Sequence, residues 1–430
     1  MIAYLAAAVF LISYVLIATE KVHRVAAALG GVAGMTLLGL VDAHSAFFEE
    51  KTGIDWNVVV LLFGMMVVVS VLRHTGLFEF IALWAARACH GSPRRLMLLL
   101  IVITAVFSPI LDNVTTVLLV TPVTLAVCER LGFKPMPHLI ALVLASNIGG
   151  LSTLIADPPN LIIASRAGLS FNDFLVNSLP LCVILLGVLI AVLQLLFRRE
   201  LAQKADLTVV MAGQNPMEAI PNRPLLIRCL VVLVLIVAAF CAHAIIPLEP
   251  SMIAMLGAGA MVLVSGTKPE QFLAEVEWLT LAFFMALFVL VGALVEVGVI
   301  DRLGQLAASA MHGNELAGAT GLLFGSTAIG ALVDNIPYTT AMAPIAQDMV
   351  ASTGHVGAAS PLWWAFVFGA DLGGNATAVA AGANVVVLGI AAKAGQPISF
   401  WDFTKRGLIV TVVTVAVAWV YLWLRYFVLA

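Results

Sequence analysis

Two Asp-Asn pairs lie inside long apolar runs. Asp112-Asn113 stands in FSPILDNVTTVLLVTP, and Asp334-Asn335 stands in ALVDNIPYTTAMAP. A charged residue at the centre of a bilayer costs about 2.5–3.5 kcal/mol on insertion scales, so an acid placed there is a functional candidate. Each pair is followed by a second polar, glycine-broken segment. In SNIGGLSTLIADPPN the candidates are Asn147, Gly149, Thr153, Asp157 and Asn160. In DLGGNATAVAAGAN they are Asp371, Gly373, Asn375, Thr377 and Asn384. Paired glycines relax a helix, and Pro158-Pro159 removes backbone donors. A helix broken this way leaves free carbonyls on one side of the gap and free N–H groups on the other, with both dipoles aimed into it. Carboxylates, amides and hydroxyls around such a gap suit proton carriage, ion binding and hydrogen bonding to a small polar solute. Acids outnumber bases in these segments, which favours protons, sodium or a neutral solute over an anion.

The elements that hold these residues follow from composition. The chain has 430 residues, 62% hydrophobic and only 10% charged, with a mean hydropathy of +1.09. A soluble domain carries about 25% charged residues, so a soluble enzyme, a disordered chain and a fibre are excluded. The fold class is an all-α polytopic membrane protein. Spans of about 20 apolar residues fall near 2–18, 25–41, 57–72, 174–197, 225–246, 250–265, 278–296 and 404–428. The first lacks a basic n-region, so it reads as a spanning helix instead of a leader. Regions 96–165 and 316–394 are interrupted. Each is read as one re-entrant hairpin (96–128 and 316–352) followed by one broken helix (138–165 and 362–394). Non-helical backbone at that depth is tolerated only where it is buried in protein or lines a cavity.

The sequence also repeats itself. At a spacing of 222 residues Trp56 matches Trp278, Gly76 matches Gly298, His90-Gly91 matches His312-Gly313, Asp112-Asn113 matches Asp334-Asn335 and Pro122 matches Pro344. At 224 Gly149-Gly150 match Gly373-Gly374, Thr153 matches Thr377 and Asn160 matches Asn384. The first repeat is 1–197, the linker 198–224 and the second repeat 225–430. Each repeat makes five crossings, about ten in all plus two hairpins, so the second copy is inverted, as in secondary transporters with sites near the midplane. Asp371 stands where Asn147 does and Ala381 where Asp157 does, so the halves are chemically unequal. Segments 78–95 and 300–315 are amphipathic connecting arms. With 198–228 cytoplasmic, all of the 21 Lys and Arg except Lys51, Arg166, Arg302 and Arg425 fall inside, following the positive-inside rule. Both termini are then extracytoplasmic, in a multi-pass protein of a bacterial inner membrane.

Other polar residues have plainer readings. Thr115, Thr116 and Thr124 divide evenly between function and helix-to-helix glue. Glu129 and Glu296 sit at span ends and are solvated, while His74 and His138 are interfacial. The scattered cysteines, histidines and methionines form no metal site. No HExxH, G-x-S-x-G or Walker lysine is present, so the chain is read as a non-enzyme with no cofactor.

LDNVTTVLLVTP followed by SNIGGLSTLIADPPN resembles the signature of the ion transporter superfamily, in its arsenical pump and pigmentation P-protein branch, over essentially the whole chain. The resemblance implies a scaffold with a mobile transport domain. Dicarboxylate-carrying relatives have a Ser-Asn-Thr motif at the hairpin tips that helps bind sodium; here Asp112-Asn113-Val114 and Asp334-Asn335-Ile336 stand in those places. Some arsenical pumps have Asn-Asp at the first tip, whereas this chain has Asp-Asn, nearer the P-protein arm. The function this implies is proton-coupled efflux of arsenite and antimonite, with sodium/proton antiport and dicarboxylate carriage as alternatives. Protons are the coupling ion, with sodium the alternative. A separate ATPase serves some relatives and a homodimer is common among them; besides these the partners are the lipid bilayer and the small inorganic solute, and no nucleic acid.

Overall fold

The computed structural model describes residues 2–19, 21–49, 52–202, 216–243, 245 and 248–429. Among these residues the regular structure is helical and contains no strand. The first half contributes α1 (Ile2–Thr19), α2 (Arg24–Leu37), α3 (Trp56–Arg73), α4 (Leu77–Ala88), α5 (Pro93–Leu111), α6 (Asn113–Leu131), α7 (Pro135–Gly150), α8 (Pro158–Ala167) and α9 (Leu179–Leu196). The second contributes α10 (Arg223–Ala242), α11 (Pro250–Ser265), α12 (Trp278–Glu296), α13 (Val299–Ala310), α14 (Glu315–Gly330), α15 (Asn335–Ala351), α16 (Pro361–Gly373), α17 (Gly382–Lys393) and α18 (Phe400–Trp423). Short helices at Ala43–Phe47, Phe171–Asn177 and Pro269–Glu275 connect them.

The repeat is written into local chemistry as well as helix order. Gly76 and Gly298 precede the arms α4 and α13 in left-handed conformations, and His90-Gly91 and His312-Gly313 end those arms in the same way. Ser92 caps α5 by accepting from Arg95 N, and Asn314, at the equivalent place, caps α14 by accepting from Ala317 N at 3.1 Å. Such caps satisfy donors that a helix start leaves free. Trp56 Nε1 donates to Phe47 O at 2.8 Å and Trp278 Nε1 to Leu273 O at 3.0 Å, closing matching turns ahead of α3 and α12.

Packing follows the same two-fold logic. α3 lies on α11 and α12 on α2; α5 lies on α7 and α14 on α16; α6 lies on α17 and α15 on α8. The two halves therefore interlock. α7 and α16 are buried almost from end to end, which places the broken helices at the centre of the molecule.

The first interrupted region is a true hairpin. His138 Nε2 lies 3.2 Å from Pro93 O, so α5 and α7 start side by side, and Phe133 stacks on His138 where α6 returns. The tip at Asp112 is thus level with the break between α7 and α8. Its arms are long: α5 and α6 have 19 residues each, about 28 Å at about 1.5 Å per residue. They pass the length and polarity test for a span, with α1, α3, α9, α10, α12 and α18. His138 is a correction, because it is buried and ties two helix starts together through its ring nitrogens instead of facing an interface.

Other span limits shift for local reasons. The span at 25–41 stops at Leu37, ahead of a left-handed Gly39. The span at 174–197 starts at Leu179, because Pro180 at its first turn cannot continue the short helix before it. In the 198–224 linker, 203–215 with Lys204 lie outside the described residues, as does Lys51. The linker's last turn, Pro216–Ala219, covers arm α4, and a Cβ at Gly76 would come within 1.9 Å of Ala219 O. Only glycine fits there.

Candidate functional site

The hairpin tips are built differently in the two halves. Asp112 joins α5 to α6 with φ +76° and ψ 158°, a region that is essentially glycine's own. Its side chain fixes the turn: Oδ1 accepts from Thr115 N and Oδ2 from Thr115 Oγ1, both at 2.8 Å. Asp334 is relaxed, with φ −50°, and accepts from Ile336 N at 3.0 Å. Behind the first tip, Ser108 Oγ lies 2.7 Å from both Asn113 Oδ1 and Ser146 O, and Asn113 Nδ2 donates to Asp157. The tip and the broken helix are thereby joined through buried polar groups.

The broken helices carry a pair of matching amide clasps. Asn160 Nδ2 donates across the first break to Gly150 O at 3.0 Å and Thr153 O at 3.1 Å. Asn384 Nδ2 donates across the second to Gly374 O at 2.8 Å and Thr377 O at 2.7 Å. Each holds the carbonyls that the interrupted helix leaves without partners. Thr153 Oγ1 donates to Pro109 O at 2.6 Å and Thr377 Oγ1 to Ala331 O at 2.8 Å, again at equivalent places, so both threonines lash a break to its hairpin. Gly149 and Gly373 let the hairpin arm come close: a Cβ would stand 3.0 Å from Ala105 Cα in one half and 3.0 Å from Thr327 O in the other. Asn147, on the helix before the first break, reaches the second: its Nδ2 donates to Asn375 Oδ1 at 3.0 Å and Asn384 Oδ1 at 3.2 Å.

Of the residues chosen from sequence, Asp112, Asn113, Asn147, Asp157, Asp334 and Asn335 line one cavity of about 380 Å³. Asp157 lies within electrostatic reach of Asp371, Asp112 and Asp334. Asn160, Asp371, Asn375 and Asn384 lie behind the cavity wall and are fully buried. Gly149, Thr153, Gly373 and Thr377 hold the scaffold of the site instead of facing its space.

Sequence reasoning missed the far wall. Arg24, His23, Glu277 and Thr280 line the same cavity. Arg24 Nη1 approaches Asp334 Oδ2 at 3.7 Å while its guanidinium sits 5.4 Å from the Phe283 ring centroid. In the sequence Arg24 counts only among the cytoplasmic basic residues, and no local pattern links it to a residue so remote. The available signal was the pairing of α2 with α12 across the repeats.

The cavity opens on one face. Beside its mouth, Glu277 Oε2 accepts from Thr280 Oγ1 at 2.9 Å, on its own helix. At the mirrored place on the opposite face, Asp55 accepts from the Ser165 hydroxyl and so links α3 to α8. The position that mirrors Ser165 is Gly389, which has no hydroxyl to offer Glu277. A separate pocket of about 560 Å³ lined by Asp55, Ser165 and Arg166 lies outside that closure.

Comparison with known proteins agrees with this architecture. A transporter of Mycobacterium tuberculosis described as uncharacterized is 50% identical over 424 residues, covering 99% of each chain. The human P protein is 33% identical, covering 95% of this chain and 58% of its own. The crystal structure of the Alcanivorax borkumensis YdaH transporter, which its title describes as having an unusual topology, superposes with a TM-score of 0.60 at 15% identity, covering 99% and 98% of the two chains. At that identity the likeness is one of fold. The profile of the citrate transporter family, CitMHS, matches residues 14–369. The chain is therefore a multi-pass membrane transporter of the ion transporter superfamily and belongs to the CitMHS citrate transporter family.

Proposed function

We propose that this protein is a secondary carrier that expels a small uncharged oxyacid, arsenite or antimonite, in exchange for protons. One observation carries the reading. The cavity presents Asp112, Asp157, Glu277 and Asp334 with Arg24 and His23 as its basic residues, and Arg24 already faces Asp334. A free tri- or dicarboxylate entering that space meets net negative charge in a low-dielectric wall, where like charges cost several kcal/mol. A neutral trihydroxide meets amide and carboxylate acceptors and the Asn113, Asn147 and Asn335 amides. The carboxylates bind and release protons as the cavity exchanges water with either side. On the orientation set by the basic residues, the open face is cytoplasmic, the side from which an exported solute loads.

Sodium/proton antiport is the second reading, favoured by the same surplus of carboxylates. Citrate, the substrate in the family's description, is the third, and it requires a cation to enter with it. Everted membrane vesicles containing the protein separate the three. Proton movement triggered by arsenite supports the proposal. Movement triggered only by sodium, or only by citrate, replaces it.

A further inference from the structure

Resting on the reading of a proton-coupled carrier, we propose that Asp371 is the group that holds the carried proton, and that Asn160 Oδ1 accepts it in a hydrogen bond. The argument is one of pseudo-symmetry. Across the repeats, Asn147 Nδ2 donates to Asn384 Oδ1 at 3.2 Å, completing the clasp on the second break. Asp371 occupies the position equivalent to Asn147, and Asn160 the position equivalent to Asn384. Asp371 lies against Asn160 and is 1% exposed. Among the described residues neither carboxylate oxygen of Asp371 has a hydrogen-bond partner, and neither does Asn160 Oδ1. The Asn160 amide nitrogen is committed to Gly150 O and Thr153 O, which fixes the side chain with its oxygen outward.

Where one of these two equivalent contacts places a donor against an acceptor, the other therefore places acceptor against acceptor. A buried charged or polar group without a partner is costly. One hydrogen on Asp371 removes its buried charge and gives Asn160 Oδ1 a donor, because a protonated carboxyl is a donor that an ionised one is not.

Asp157 supplies the route. It lines the cavity, and it is within electrostatic reach of Asp371. A hydronium ion in the cavity protonates Asp157; a water molecule between the two side chains then takes that proton and gives one of its own to Asp371, leaving Asp157 ionised and the water unchanged. The return path is the reverse. The other charged groups on elements packed against α16 lie elsewhere: Glu315 of α14 pairs with His355, Asp402 of α18 with Arg406, Asp348 of α15 sits beside Gly304, Arg166 of α8 lines the pocket that holds Asp55, and Lys405 of α18 is exposed. α7 faces Asp371 with no carboxylate or lysine, and its His138 is bonded to Pro93 O.

The test is infrared difference spectroscopy on the purified, liposome-reconstituted protein between mildly acid and mildly alkaline buffer, with thermal midpoints and arsenite-triggered proton flux alongside. Asp371→Asn restores the Asn147-type bond, so its midpoint stays within a few degrees of wild type. The carbonyl band of a buried protonated carboxyl disappears, and proton flux falls at least tenfold. Persistence of the band in Asp371→Asn overturns the proposal. So does its suppression in wild type by sodium, which assigns the place to that ion, and so does collapse of the variant's midpoint. A band that depends on Asp371 in a protein that moves no protons with arsenite leaves the proton site standing and removes the arsenite reading alone.

Discussion

Replacing Asn384 by alanine removes two donated hydrogen bonds and one accepted bond from a fully buried position. Thr377 O keeps the Ala380 N–H at 3.3 Å, while Gly374 O loses the Asn384 donor. Stranding a buried acceptor costs about 1–3 kcal/mol, and the Asn147 amide loses one of its two acceptors. The sum is about 2–4 kcal/mol, reduced toward the lower end because polar groups in membranes find substitutes in the partly unfolded state. The matching variant, Asn160→Ala, loses two donated bonds of similar length. It gives up no partner at Oδ1 while Asp371 is ionised, so in mildly alkaline buffer its cost is the smaller of the two. The assay needs no added label site, since Cys89, Cys128, Cys182 and Cys229 are buried and become reactive to a thiol dye on unfolding. Both variants lower the midpoint in detergent by several degrees, Asn384→Ala by more. Midpoints unchanged from wild type, or a large loss for only one variant, refute the idea that two equivalent clasps hold the breaks.

Further expectations concern charge, packing and strain. Arg24→Gln costs no more than about 1 kcal/mol of stability, because a partly exposed pair is screened, yet it leaves the cavity more negative; titration of vesicles with sodium shows tighter apparent binding than in wild type. Gly149→Ala and Gly373→Ala each press a Cβ to 3.0 Å from backbone and lose about 1–3 kcal/mol, whereas Gly187→Ala, with nothing within 4 Å, is neutral or stabilising in the same thermal assay. Asp112→Gly relieves about 1–3 kcal/mol of backbone strain and loses a cap worth about 0.5–2 kcal/mol. Its midpoint thus stays near that of wild type while proton flux is lost.

Much of the architecture could be read from residue spacing because inversion of a duplicated chain leaves polar residues at fixed offsets. Thr153 and Thr377, and Asn160 and Asn384, are structural counterparts with matching partners, whereas Asp112-Asn113 and Asp334-Asn335 stand at equivalent tips that are bonded differently. Composition alone was enough for a membrane protein with interrupted helices. What spacing failed to separate was role. Thr153, Thr377, Gly149 and Gly373 look like site residues by position, but their atoms are spent on closing the hairpin against the break. His138 looked interfacial because histidine is polar, while two backbone carbonyls satisfy its ring in the interior. Arg24 and Glu277 escaped notice because the wall they form comes from helices that pack across the repeats, a relation with no local trace. The unequal pair Asn147 and Asp371 was visible in sequence, but its meaning depended on which atoms lack partners, and only the folded structure shows that.

The central claim is that two hairpin tips, from halves that face opposite ways, serve one solute path. Arsenite-triggered proton flux in proteoliposomes carrying Asp112→Asn or Asp334→Asn tests it most directly, with membrane insertion checked for both. Loss of flux in each variant at wild-type levels of inserted protein is the predicted result. Normal flux in both contradicts the account.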